Sequence, residues 1–196
     1  VRIITDEIAT AMNRFWDSAT DVANAAMAVS KQINQGNPDE LYMLGLFHNV
    51  GVPMMMQRFE NYPDVQLQAY ASEAGHINVI ENELINTSHQ VIGFYIAKAW
   101  KLPEATREVI RVHHSIGRIG PSRDERSEAI KRQLFILKMA EHISGLYRVL
   151  GDQEVDHEWS RLSQDVLAYF GLSEYEFEDV AGSVHEMGIG AHSYFM

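Results

Sequence analysis

Apolar positions recur three or four residues apart along nearly the whole chain, the spacing that lines one face of an α-helix. No stretch alternates with the period of two that a half-buried strand needs. From Asp6 to Ile33 the set Ile8, Met12, Phe15, Ala19, Val22, Ala26, Val29 and Ile33 forms one stripe, which predicts a single long helix. Gly36-Asn37-Pro38 ends it and opens the next, with Pro38 at a first helical position where its missing N–H costs nothing. Leu41 to Val50 is apolar almost all round, the mark of a buried helix. Gly51 and Pro53 predict a break after it, followed by a short turn through Met54, Met55 and Met56. Two further helices are expected between Pro63 and Leu84. Thr87 and Gln90 have the spacing of a capping box for a helix reaching Trp100, and Pro103 opens one that reaches His113. The polar stretch from Ser115 to Arg126 predicts the longest loop. A long helix from about Ser127 to Leu150 is stopped by Gly151, and one from about Asp156 to Phe170 by Gly171. Ser173 and Glu176 cap a last helix that ends near Gly188. The pattern predicts one all-α, compact bundle of about seven to nine helices, with no internal repeat or linker.

Composition narrows what such a bundle does. A chain of 196 residues with 46% hydrophobic and 22% charged residues is long enough for one well-buried core. No run approaches the roughly 18 apolar residues of a membrane span, and no secretory signal opens the chain, so a cytoplasmic protein without a membrane partner is expected. The absence of Cys excludes disulfides, cysteine-ligated zinc and a cysteine nucleophile. With 27 acidic against 16 basic residues the formal charge is −11, which repels phosphate backbones, and no nucleic-acid partner is expected.

The informative positions are those where a polar side chain interrupts an apolar face, since an unpartnered buried polar group costs a few kcal/mol. His48 and Asn49 end a helix that otherwise offers water almost nothing, as hydrogen-bonded core residues or as ligands. Glu141 shares a helix face with Ile130, Leu134 and Leu137, so its carboxylate needs an ion-pair partner, a metal or a donor cluster. His89 lies one turn before Gly93, whose missing side chain lets a backbone or ligand come close. His113 and His114 end a helix, where imidazolium would suit the dipole. Met54 to Met56 either fill a core gap or line an adaptable surface. The acidic stretch Glu174 to Asp179 suits a solvated helix N-terminus or a partner surface. Together His48, Asn49, His89, His113, His114 and Glu141 come from four helices, the way helical bundles assemble metal sites from imidazole and carboxylate.

Several segments, in order, resemble the HDOD domain, a bacterial signalling module related to the HD phosphohydrolases. Gly45-Leu46-Phe47-His48-Asn49-Val50-Gly51 is similar to that family's GLLHDIG. Phe15-Trp16-Asp17-Ser18-Ala19, the series His89, Gly93, Trp100, Leu102 and Pro103, and the pair His113-His114 match in turn, so that the resemblance covers most of residues 12–150. It implies an HD-like helical fold in which the metal positions of the hydrolases fall on Ser18, His48, Asn49 and Glu141. Ser18 lacks a metal-binding imidazole, and Asn49 is neutral where the family carries aspartate. A cation held that loosely would not lower the pKa of bound water towards neutrality. The Gly-Tyr-Pro signature of the related cyclic-di-GMP phosphodiesterases is also missing, the loop reading Ser115-Ile116-Gly117-Arg118-Ile119-Gly120-Pro121.

The resemblance thus implies a non-catalytic regulatory module with a vestigial site at His48, Asn49, His89, His113 and Glu141, no expected cofactor, and a signalling protein or small molecule as partner. The alternative is a metal-dependent phosphohydrolase with a divalent ion on a reassembled site of His48, His89, His113 and Glu141, with Asn49 as a weak ligand. The family's N-terminal helical part is expected to be missing before Trp16, which would leave an apolar surface uncovered.

Overall fold

The computed structural model describes residues 6–74, 76–116 and 124–190, and among these every regular element is helical. In order they are α1 (Asp6–Ile33), α2 (Pro38–Phe47), α3 (Gly51–Arg58), α4 (Tyr62–Tyr70), α5 (Ile77–Ile85) and α6 (His89–Ala99). Then come α7 (Glu104–Val112), α8 (Glu125–Ser144), α9 (Leu146–Gly151), α10 (His157–Phe170) and α11 (Glu174–Glu186). The all-α bundle is as expected. Its helices outnumber the predicted seven to nine because two segments behave differently from their sequence reading.

Gly51 and Pro53 do not break the chain; they begin a helix. Pro53 is the third residue of α3, in the first turn, where backbone N–H groups have no intrahelical acceptor and a missing one costs nothing. The predicted Met-rich turn is therefore helical, with Met55 and Met56 in the core and Met54 exposed. In the long C-terminal helix, Gly145 adopts the left-handed conformation at φ 72° and divides α8 from α9.

Most other ends follow their signals. Asn37 caps α2 by accepting from the backbone N–H groups of Asp39 and Glu40, and Pro38 follows it as the first helical residue. Ser173 and Glu176 form the reciprocal capping box of α11. The expected box at Thr87 and Gln90 does not form. Ser88 is the N-cap without a side-chain bond, and Gln90 is drawn inward to Ser115 Oγ and the backbone N–H of His114. Most of the predicted loop, residues 117–123, lies outside the described residues.

The core forms where α1 packs along α2 and α8, with Val22, Val29, Leu41, Leu44, Leu134 and Leu137 fully buried. Gly45 sets the α1–α2 distance: a Cβ there would lie 2.6 Å from Ala23 Cα. At the α3–α6 crossing a Cβ on Gly51 would lie 2.0 Å from the His89 carbonyl oxygen and 2.8 Å from the Gly93 nitrogen. The close approach expected at Gly93 is thus that of a backbone. Between α1, α3, α4 and α9 a cleft of about 490 Å³ is lined by Ala11, Met56, Pro63, Leu67 and Val149 among others. No helix of the described residues is long and apolar enough to cross a membrane.

Candidate functional site

The ends of α2 and α7 use the same local device. A helix terminus leaves its last carbonyls without intrahelical donors, and a histidine at the C-cap can turn its ring back to satisfy one. His48 Nδ1–H donates to Gly45 O at 2.7 Å, and His113 Nδ1–H to Ile110 O at 2.7 Å. Each bond anchors Nδ1 and leaves Nε2 aimed inward. His48 Nε2 lies 3.2 Å from Glu141 Oε1 on α8, at ion-pair distance but outside hydrogen-bond geometry, and neither atom has a hydrogen-bond partner among the described residues. His113 Nε2 lies 3.1 Å from Asn49 Oδ1 and 3.2 Å from His89 Nε2.

His89, the first residue of α6, is held by Glu81 of α5. Its backbone N–H donates to Glu81 Oε2 at 3.1 Å, and Nδ1 is 2.8 Å from both carboxylate oxygens. Tyr62 donates a third bond to Glu81 at 2.7 Å. Glu81 thus does for α6 what a capping side chain would do, with its charge at the positive end of the helix dipole. Burial pushes Glu81 up, but His89 and the bonds from His89 and Tyr62 outweigh it and hold the carboxyl below its ordinary value.

A second charged group lies behind the histidines. Lys138 Nζ donates to Glu141 Oε2 at 2.6 Å and to Glu158 Oε2 at 2.9 Å, while His114 Nδ1 is 3.0 Å from both Glu158 oxygens. Lys138, Glu141, Glu158 and His114 are all buried. Burial disfavours the ammonium, yet Glu141 and Glu158 outweigh this and raise Lys138 above its ordinary value. Burial likewise pushes Glu141 up, and Lys138, followed by His48, brings it below the ordinary carboxylate value. For His113 and His114 burial dominates, joined by the positive charge of Lys138 and neighbouring histidines, and both are held well below the usual imidazole value. The sequence-level expectation that they sit as imidazolium at a helix C-terminus is therefore corrected: they are neutral because they are enclosed.

The fold brings His48, Asn49, His89, His113, His114 and Glu141 into one cluster, as expected. Ser18 does not contribute a ligand there. Its hydroxyl donates to Phe15 O at 2.7 Å, back onto its own helix. Glu81, Lys138 and Glu158 were not anticipated. Lys138 did carry a signal, as the one charge in the run Leu134 to Ala140 and three residues before Glu141. Glu158 carried none, since an acid in the first turn of a helix reads as a partner of the dipole.

The four positions that the HD hydrolases use for metal do not fit a hard divalent ion here. Ser18 is committed to its helix, Asn49 is neutral, and one oxygen of Glu141 already binds an ammonium. The imidazoles are a separate matter: ring nitrogens of His89, His113 and His114 lie within 4.8 Å of one another and could hold a metal ion. A cavity of about 20 Å³, room for about one water, touches Lys138, Glu141, Glu158 and His114 beneath Trp159 and Tyr147.

Comparison with known proteins agrees with this architecture. Among solved structures, an HDOD domain protein of unknown function from Geobacter sulfurreducens is 24% identical, with a TM-score of 0.61 over 87% of this chain and 57% of its own. A protein from Shewanella amazonensis SB2B, named for a suspected phosphohydrolase activity, is 20% identical with a TM-score of 0.57, over 88% of this chain and 59% of its own. A protein from Marinobacter aquaeolei VT8, named for a suspected role in signal transduction, is 19% identical with a TM-score of 0.58, over 88% of this chain and 38% of its own. An uncharacterised protein of Treponema pallidum (strain Nichols) is 27% identical over 109 residues, 53% of this chain but 20% of that protein. The chain thus spans well under two thirds of each of these proteins. The sequence profile of the HDOD domain matches residues 2–116, which hold α1 to α7 and every histidine of the cluster, and the chain belongs to the HDOD family.

Proposed function

We propose that this chain is a cytoplasmic regulatory module of the HDOD type that works without metal chemistry, by binding a signalling protein or a small molecule rather than nucleic acid. The observation that carries this reading is Lys138, whose ammonium bonds to both Glu141 and Glu158 inside the cluster. A hydrolase would need the Glu141 carboxylate free to neutralise a metal ion and to sustain an activated water. Here it binds an ammonium, which cannot do either. The neutral Asn49 and the committed Ser18 support the same reading.

The His89, His113 and His114 grouping favours a second reading, a metal-dependent phosphohydrolase on an imidazole site. The two separate on untagged protein. Plasma mass spectrometry should find no stoichiometric metal, and phosphomonoester and phosphodiester substrates with added manganese should turn over no faster than with a His89→Ala/His113→Ala control. About one tightly held ion per chain would overturn the metal-free reading, and turnover above that control would establish the hydrolase instead.

A further inference from the structure

Three carboxylates take part in the cluster, and their partners divide them. Glu81 is matched by His89 and Tyr62. Glu141 and Glu158 share Lys138, the only Lys or Arg paired with either among the described residues. Counting these three groups alone, two carboxylates and one ammonium leave one negative charge in a buried space. Without the ammonium the same space would hold two negative charges, the amount a divalent cation neutralises.

The neighbouring donors point the same way. His48 Nε2 and Glu141 Oε1 face each other at 3.2 Å outside hydrogen-bond geometry, and His114 Nε2 has no hydrogen-bond partner among the described residues. All four histidines of the cluster have Nδ1 anchored, His48 to Gly45 O, His89 to Glu81, His113 to Ile110 O and His114 to Glu158. Anchoring of this kind orients imidazoles towards a metal in sites that bind one. The cluster therefore retains oriented donors, while a fixed positive charge lies on the carboxylates those donors would share with an ion.

We propose that Lys138 is the built-in cation of this cluster, taking the place of a divalent ion between Glu141 and Glu158 and thereby excluding one. This rests on the metal-free reading above and gives its cause in a single side chain. An ammonium is a compact point charge carrying three donors, able to serve both carboxylates at once. Unlike an ion it is covalently tethered and cannot exchange with solvent.

The test compares manganese binding by the wild-type chain with that of Lys138→Met, which keeps length and loses charge. Titration calorimetry and ion content after dialysis should show Lys138→Met taking up about one Mn²⁺ per chain, with affinity raised on the order of a hundredfold, as expected for removing a like charge a few ångströms away. Lys138→Arg should remain like wild type, and adding Glu141→Gln to Lys138→Met should abolish the gain. A purely structural lysine would give a variant that is less stable but indifferent to manganese. Should Lys138→Met unfold in chelator, refolding on addition of Mn²⁺, seen by circular dichroism, supports the proposal. If Mn²⁺ does not refold it, Lys138→Gln, which removes the charge but keeps both carboxylates and a side-chain donor for them, decides by the same ion count. A folded variant that binds Mn²⁺ no better than wild type overturns the role of Lys138 and leaves the metal-free reading standing. Tight Mn²⁺ binding by wild type overturns both.

Discussion

Helix α8 serves two regions that are held together by different forces. Towards α1 and α2 it contributes Leu134, Ile136 and Leu137 to a core of Val22, Ala25, Ala26, Val29, Leu41 and Leu44. Towards α6, α7 and α10 it contributes Lys138 and Glu141 to a network of histidines and carboxylates. The apolar region is stabilised by area and close packing, so side chains of similar volume can replace one another at small cost. The polar region depends on every partner being present, because removing one group leaves another buried and unsatisfied. Both regions use glycine to bring backbones together, Gly45 against Ala23 and Gly51 against His89. The consequence differs, because the second contact also positions a charged network.

The largest effect is expected where backbone clearance and polar network coincide. Gly51→Ala places a methyl group against the His89 carbonyl and should cost about 3 kcal/mol or more, against about 2 kcal/mol for Gly45→Ala, whose contact has more room. Urea unfolding of the two variants checks this, and a larger loss at Gly45 would dissolve the distinction between the regions.

Acid should separate the regions next. His113 and His114 are held below their ordinary value of 6.5, so the unfolded chain binds more protons than the folded one. Their contribution is complete above that value and is lost as pH falls from it towards the lowered folded values. Between about pH 7.5 and 5.5 the two groups together should remove about 2–3 kcal/mol. The lowered carboxyl of Glu81 adds a further loss only in stronger acid, below 4.5. Chemical denaturation at the two pH values should show a slope that Leu137→Ala leaves intact, though that variant is less stable throughout, and that His113→Gln/His114→Gln flattens. An unchanged slope in the double variant would mean that the cluster is not the source.

The smallest effect tests which region Ser18 belongs to. Its hydroxyl only bonds back to Phe15 O, so Ser18→Ala should change stability by about 0.5 kcal/mol or less. A loss of several times that size, read from the thermal midpoint, would place Ser18 in the polar network after all.

The same contrast explains what could be read from sequence. Helices with a one-sided stripe or a strong capping signal, such as α1, α10 and α11, were legible almost to their ends, because those signals act within a few residues. Gly51 and Pro53 misled because a residue that breaks a helix interior is harmless in a first turn, and which case applies depends on where the helix begins. His48, Asn49, His89, His113, His114 and Glu141 stood out because polar groups on apolar faces are costly unless something meets them.

The residues that meet them did not stand out. Glu81 and Glu158 belong to a class that normally faces water, and nothing within several positions of either marks it as buried. Sequence alone determined the all-helical fold, the family resemblance and the set of candidate histidines, since local periodicity and side-chain chemistry are properties of short segments. Only the tertiary structure decided that Glu81 caps α6 from another helix, that His113 and His114 stay neutral, and that Lys138 bonds Glu141 and Glu158 together. Desolvation and ion pairing act through space, between residues as far apart in the chain as His114 and Glu158, and a charge acquires its role from what encloses it.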